Sequence, residues 1–110
     1  LIVATIKSVI SIKSRAFVLK AVTLKNGSQT LHVIAQDQTL QAVPGAVITA
    51  IVNLSDGSKQ ELEFFTNQAG IGQTSFSFSD QKVGELITID ITVSYLGLST
   101  TTTSSFRIWN

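Results

Sequence analysis

The side chains that could perform acid–base or metal chemistry are few in this sequence. It has one histidine, His32, no cysteine and seven carboxylates. With no second histidine and no thiolate, a histidine-based zinc site or a catalytic triad would lack its usual members. We therefore expect His32 to have a structural role or to face solvent or a partner sheet.

The carboxylates do not have the spacing of a catalytic or metal site. Asp37, Asp56 and Asp80 fall in predicted loops, but the regular aspartate spacing of a calcium-binding loop is missing. Glu61 and Glu63 alternate along one predicted strand, and a general acid–base pair would need a pocket that perturbs their pKa values. We expect both glutamates to face water, and we predict no metal, no cofactor and no enzymatic activity.

Aromatic rings are the better candidates for binding. Large aromatic side chains at a surface often contact a sugar or a protein partner. The candidate contact residues are Trp109, Phe65 and His32. For Trp109 we favour the alternative, packing in the core or against a neighbouring domain, because tryptophan is usually largely buried.

Composition and charge narrow the class of protein and its partners. The 110 residues carry a net charge of +1, only 14% of them are charged, and none is methionine. Without a run of lysine or arginine we do not expect a nucleic-acid partner. Residues 1–6 are apolar but too short to span a bilayer, and they lack the charged start of a signal peptide. We expect a single domain that is a fragment of a longer protein.

Apolar and polar residues alternate along most of the chain, which is the two-residue period of β-strands. The clearest example is residues 86–95, where isoleucine, valine and tyrosine occupy one face and threonine, aspartate and serine the other. A helix over 14–22 is the alternative to the second strand, because good helix formers lie there. The predicted strands are 1–13, 17–24, 30–36, 47–54, 62–66, 73–79, 86–95 and 100–109.

Turn residues separate these strands at intervals of about ten residues, as in an antiparallel sandwich or barrel. Asn26-Gly27 predicts a type I′ hairpin turn that joins strands 17–24 and 30–36, since both residues tolerate positive φ. Three further motifs are expected to bend or turn the chain. They are Pro44-Gly45, Asp56-Gly57 and Leu96-Gly97.

Several of these motifs resemble those of bacterial immunoglobulin-like (Ig-like) domains. The resemblance covers about residues 30–109 and is closest to the invasin/intimin type and to macroglobulin-like and carboxypeptidase-regulatory-like sandwiches. It implies an all-β, Ig-like antiparallel β-sandwich of about seven to eight strands. It also implies a spacer or adhesion module of a secreted or cell-surface bacterial protein. The motifs are Val43-Pro44-Gly45-Ala46, Asp56-Gly57, Thr66-Asn67-Gln68-Ala69-Gly70, Phe76-Ser77-Phe78 and Gly84.

We therefore expect one Ig-like domain over 1–110, in which residues 1–24 add N-terminal strands to a core of 25–110. The leading hypothesis is a non-catalytic structural or adhesion module whose partners are neighbouring domains of the same chain. The alternative is a carbohydrate- or protein-binding module that uses loops or the Trp109 and Phe65 region. A third hypothesis is that an exposed strand, 1–12 or 99–109, pairs with another chain.

Overall fold

In the computed structural model, which describes residues 8–109, every regular secondary-structure element is a β-strand. The prediction of an all-β fold is therefore confirmed. The strands are β1 (Ile12–Val18), β2 (Val22–Thr23), β3 (Gly27–Asp37), β4 (Val47–Asn53), β5 (Lys59–Phe65), β6 (Ile71–Phe78), β7 (Leu86–Tyr95) and β8 (Leu98–Ile108).

The strands form two sheets that pack face to face. The small sheet has the order β1-β3-β6, and the large sheet has the order β2-β8-β7-β4-β5. Neighbouring strands are antiparallel throughout, except that the short β2 pairs parallel with the end of β8. Between the two sheets, β1 is the close neighbour of β8, and β6 is the close neighbour of β5.

The two-residue period explains why the sheets pack in this way. Alternate side chains of a strand point to opposite faces, so one apolar face of each sheet is buried against the other. In β7 the predicted inward face is buried from Ile87 to Val93, and the threonines between are exposed. The fully buried aliphatic residues at the centre of the core are Leu31, Val33, Ala35, Ile48, Ala50, Val52, Ile87, Ile89, Val93 and Ile108.

The first quarter of the chain differs from the prediction. Residues 1–7 of the predicted strand 1–13 lie outside the described residues. Strand β1 runs through the expected break at Ser14-Arg15 and ends at Val18, so the predicted strand over 17–24 is wrong, as is the helical alternative. The chain then crosses to the large sheet, where only Val22 and Thr23 pair with β8.

The predicted type I′ hairpin at Asn26-Gly27 is also wrong. Neither residue has a positive φ, and β3 already begins at Gly27. The side chain of the buried Gln29 accepts a hydrogen bond from Lys20 N–H (2.9 Å) and donates one to Lys20 C=O (2.7 Å). This amide occupies both backbone groups of Lys20, so the β1–β3 ladder does not continue past Leu19.

The other turn motifs are confirmed and divide the loops between two ends of the sandwich. Gly45, Gly57 and Gly97 have positive φ of 74°, 87° and 81°, where a side chain would be strained. The loops after β3, β5 and β7 lie at one end, which we call the lower end. The loops after β2, β4 and β6 lie at the upper end.

Candidate functional site

Trp109 lies at the upper end on the outer face of the large sheet. Its N–H donates a hydrogen bond to Thr23 C=O at 2.7 Å, so the backbone continues the alternation of β8 past Ile108. Ile108 points inward, and Trp109 therefore points outward and is 60% exposed. The prediction that Trp109 packs in the core is wrong, whereas packing against a neighbouring domain stays a prediction.

Three more apolar side chains lie near Trp109 on this outer face. Val22 and Leu86 pair with Arg107 from opposite sides, so the exposed Arg107 lies between them on this face. Val22, Leu24, Leu86 and Trp109 are 53%, 62%, 47% and 60% exposed, and we call these four residues the upper apolar patch. Of the patch, sequence reasoning identified only Trp109, because the direction of β2 side chains depends on pairing with β8.

Phe65 lies at the lower end and at the opposite edge of the large sheet. It pairs with Val47, which in turn pairs with Ser94, and Ser94 pairs with Ser99 of β8. Trp109 is ten residues farther along the same chain, which corresponds to roughly 33 Å of extended strand. Phe65 is exposed like Trp109, but the two residues do not form one aromatic platform.

His32 lies on the outer face of the small sheet, away from both. Its ring stacks on Phe17 of β1 with a centroid distance of 5.1 Å and an interplanar angle of 9°. The ring is half-buried, and His32 Nδ1 is a buried atom with no hydrogen-bond partner among residues 8–109. The three predicted contact residues are thus at three separate places, and each remains a separate prediction.

The carboxylates are also dispersed. Glu61 and Glu63 are exposed on the outer face of β5, as expected. Asp37 is buried at the lower end, where its Oδ1 accepts hydrogen bonds from Thr39 N–H (2.8 Å) and Gln41 N–H (3.0 Å). Within residues 8–109, no group of three or more histidine or carboxylate side chains is placed to hold a metal ion.

The pKa of Asp56 is changed by hydrogen bonds within its turn. In the β4–β5 turn its Oδ1 accepts hydrogen bonds from the hydroxyl and the N–H of Ser58. Both bonds favour the charged form and hold the pKa of Asp56 below its ordinary value of 3.8. The group is fully exposed, and its hydrogen bonds stabilise the turn.

Two further buried polar side chains hold loops together. Thr66 Oγ1 donates to Val43 C=O (2.7 Å) and accepts from Ala46 N–H (2.8 Å), which ties two loops at the lower end. Gln81 Oε1 accepts hydrogen bonds from the N–H and the hydroxyl of Ser55, both at 2.9 Å, at the upper end. Because these atoms are engaged with loop backbone and side chains, their arrangement is structural.

The free edge of β8 is a surface of a different kind. Ile108 N–H donates to Glu85 C=O on the β7 side, and Arg107 N–H donates to Ala21 C=O on the other side. Backbone groups of successive strand residues point to alternate sides. Ser99, Thr101, Thr103 and Ser105 therefore direct their N–H and C=O groups away from β7, and β2 covers none of them.

The chain matches no family model and no curated protein. None of residues 8–109 forms a helix long and apolar enough to cross a membrane.

Proposed function

We propose that this chain is a non-catalytic, Ig-like spacer or adhesion module of a larger exported or cell-surface bacterial protein. Its partners would be the neighbouring domains of the same chain. The observation that carries the proposal is the direction of the chain, because the first long strand starts at the lower end and the last one finishes at the upper end. A module of this geometry adds its full length to the protein that contains it.

Hydrogen bonds at the two ends support this path. Ile10 N–H donates to Gln38 Oε1 (3.1 Å) in the loop after β3, at the lower end. Trp109 N–H donates to Thr23 C=O at the upper end. Strand β8 alone has 11 residues, which corresponds to roughly 36 Å of extended chain between the ends.

The strand order supports the Ig-like part of the proposal. In Ig domains strands A, B and E belong to one sheet and strands C, F and G to the other. Strands β1, β3 and β6 have the first arrangement, and β4, β7 and β8 have the second. The split of the first strand between the sheets, with β2 parallel to β8, fits the same scheme.

Two measurements test the spacer function. Fluorescence energy transfer between dyes at positions 8 and 109 should give one narrow distance near the length of the sandwich. A panel of hydrolase substrates should give no turnover. Turnover that is lost in Glu61→Gln or Glu63→Gln, with the fold intact, would overturn the proposal.

The upper apolar patch favours a second candidate, a module that binds a glycan or a protein. Exposed aromatic and aliphatic side chains grouped on one face are typical of interaction sites. Glycan-array or peptidoglycan binding should then be lost in Trp109→Ala and kept in Phe65→Ala, which changes an equally exposed ring at the other end. Absence of binding in the unmodified chain, or equal loss in both variants, would remove this candidate.

A further inference from the structure

The free edge of β8 is long, uncharged and uniform in composition. From Leu98 to Phe106 the strand holds no charged residue, no proline and no glycine. Four residues of β8 point their backbone groups to this edge, and we call them the outward residues. Their side chains are also exposed, and they are Ser99, Thr101, Thr103 and Ser105. Within residues 8–109, their outward N–H groups donate to no other strand or loop. An unpaired edge of this kind is a template for another strand.

Two other edge strands, β5 and β6, carry features that oppose strand addition. On β5, the Leu54 N–H to Ser58 C=O bond places the even-numbered residues toward β4, so Lys59, Glu61 and Glu63 point their backbone groups outward. Charged residues at an edge oppose strand addition. On β6, Ile71 C=O accepts from Asn67 N–H (2.9 Å) and Ser77 C=O from Gln60 Nε2 (2.8 Å).

We propose that two copies of this chain pair through their β8 edges as an antiparallel dimer. The twofold axis passes close to Thr102. Thr101 of each copy therefore lies opposite Thr103 of the other copy. Each outward residue then exchanges N–H and C=O bonds with its counterpart. The two large sheets become one continuous sheet across the interface.

Three features favour a second copy as the occupant. The edge is self-complementary, since an antiparallel twofold pairing places threonine and serine opposite threonine and serine, which are favourable neighbours. The half-buried inner side chains Thr102 and Ala16 gain cover from the added strand. The exposed Leu96 at the β7–β8 turn, 83% exposed, comes to about the level of Val22 in the other copy.

The protected edges also predict where assembly ends. Pairing at β8 leaves β5 as the outer strand of the joined sheet on both sides. Because the outward residues there are mostly charged, we expect a closed dimer and not a longer polymer. This inference does not depend on the spacer function, since a monomeric spacer and a dimeric spacer would pass the same distance and turnover tests.

Sedimentation equilibrium over about 1 μM to about 1 mM chain, a range that covers weak self-association, tests the proposal. The mass should rise from 11.8 kDa toward twice that value. Thr103→Lys should raise the dimer Kd by at least about tenfold, because like charges meet across the axis. The matched control Thr92→Lys, on the outer face of the central strand β7, should leave the Kd unchanged. A constant one-chain mass, a mass beyond the dimer, or equal effects of both lysines would overturn the proposal.

Hydrogen exchange provides a second readout that an unfolded variant cannot imitate. At high concentration the amides of Ser99, Thr101, Thr103 and Ser105 should become protected, while the amide of Thr102, bonded to β7, is protected at every concentration. Thr103→Pro removes one outward N–H without removing a bond to β7, so it should weaken the dimer and keep the fold. If the outward amides exchange at the same rate at all concentrations, the β8 interface is excluded.

Discussion

The two edges of the large sheet differ in the residues that face outward. At β5 three of the outward residues are charged, Lys59, Glu61 and Glu63. At β8 the outward residues from 99 to 105 are all serine or threonine. Both edges have exposed side chains and both belong to the same sheet, so burial does not explain the difference.

The contrast shows that the outward residues of an edge strand can differ without a change in the residues that face the core. Inward-facing residues of both strands include apolar groups, Leu62 and Phe64 in β5 and Phe106 and Ile108 in β8. The core therefore requires alternation from both strands but leaves the outward positions free. Charge at β5 blocks pairing and its absence at β8 permits it, which is the basis of the inferred dimer.

The largest expected effect tests which residues of β8 form backbone hydrogen bonds with β7. Thr102→Pro removes an N–H that points to β7 and leaves a carbonyl of β7 without its donor, so we expect about 3 kcal/mol less stability. Thr103→Pro removes an outward N–H and should change stability by less than about 1 kcal/mol. Urea denaturation measures both. A larger loss for Thr103→Pro than for Thr102→Pro would show that the bonding alternation of β8 is the reverse of the one described, and equal losses would contradict the alternation.

The next prediction converts the protected edge into an open one. In a Thr103→Lys background, replacing Glu61 and Glu63 by threonine should strengthen self-association by about tenfold, or about 1.4 kcal/mol. The reason is that β5 then presents threonine at two of its three charged outward positions, and only Lys59 keeps its charge. Sedimentation velocity gives the association constant.

The control for that change removes the same charge elsewhere. Threonine at positions 85 and 90 replaces Glu85, in the loop before β7, and Asp90, on the outer face of β7. Neither position lies on an edge of the large sheet. If this control associates as strongly as the β5 variant, net charge and not edge protection is responsible.

A smaller effect on stability is expected from the side-chain hydrogen bond that joins β5 to β6. Gln60→Ala removes the side-chain bond to Ser77 C=O and should lower the free energy of unfolding by about 1 kcal/mol. Gln73→Ala, an exposed glutamine of β6, should change it by less than about 0.5 kcal/mol. Thermal or urea unfolding compares the two. A larger loss for Gln73→Ala would contradict this role of Gln60.

The smallest expected effect is a change in the pKa of Asp56, which lies in the turn that leads into β5. Hydrogen bonds from Ser58 hold its folded pKa below 3.8. A lowered folded pKa means that the stabilisation is present above the unfolded pKa and is lost as the pH falls through the folded value. In Ser58→Ala the pKa of Asp56 should rise toward 3.8, as measured by carboxyl NMR titration. An unchanged pKa would show that the hydroxyl bond does not hold it.

The strand positions and faces were largely predictable from the sequence after residue 27. The alternation in β7 identified both its bounds and its buried face, and the Asp56-Gly57 and Leu96-Gly97 turns were correctly located. These features are local, because a two-residue period and a positive φ are properties of adjacent residues. The exposed positions of Glu61 and Glu63 followed from the same alternation.

The first quarter and the candidate site were less predictable. Asn26-Gly27 has the composition of a tight turn, but Gln29 engages Lys20 and the chain crosses between sheets. Trp109 was expected to be buried on the basis of residue type, whereas its position one residue past Ile108 places it outside. Sequence reasoning named strand 99–109 as one that could pair, but not which of its backbone groups are open.

The sequence by itself determined that the chain forms short strands with one apolar face each, and where most of them turn. The tertiary structure alone decided which strands are neighbours, that β2 joins β8, and that β8 keeps an open edge. The physical reason is range. Face alternation is encoded between residues two apart, whereas pairing depends on contacts between residues such as Thr23 and Ile108, which lie far apart in the chain.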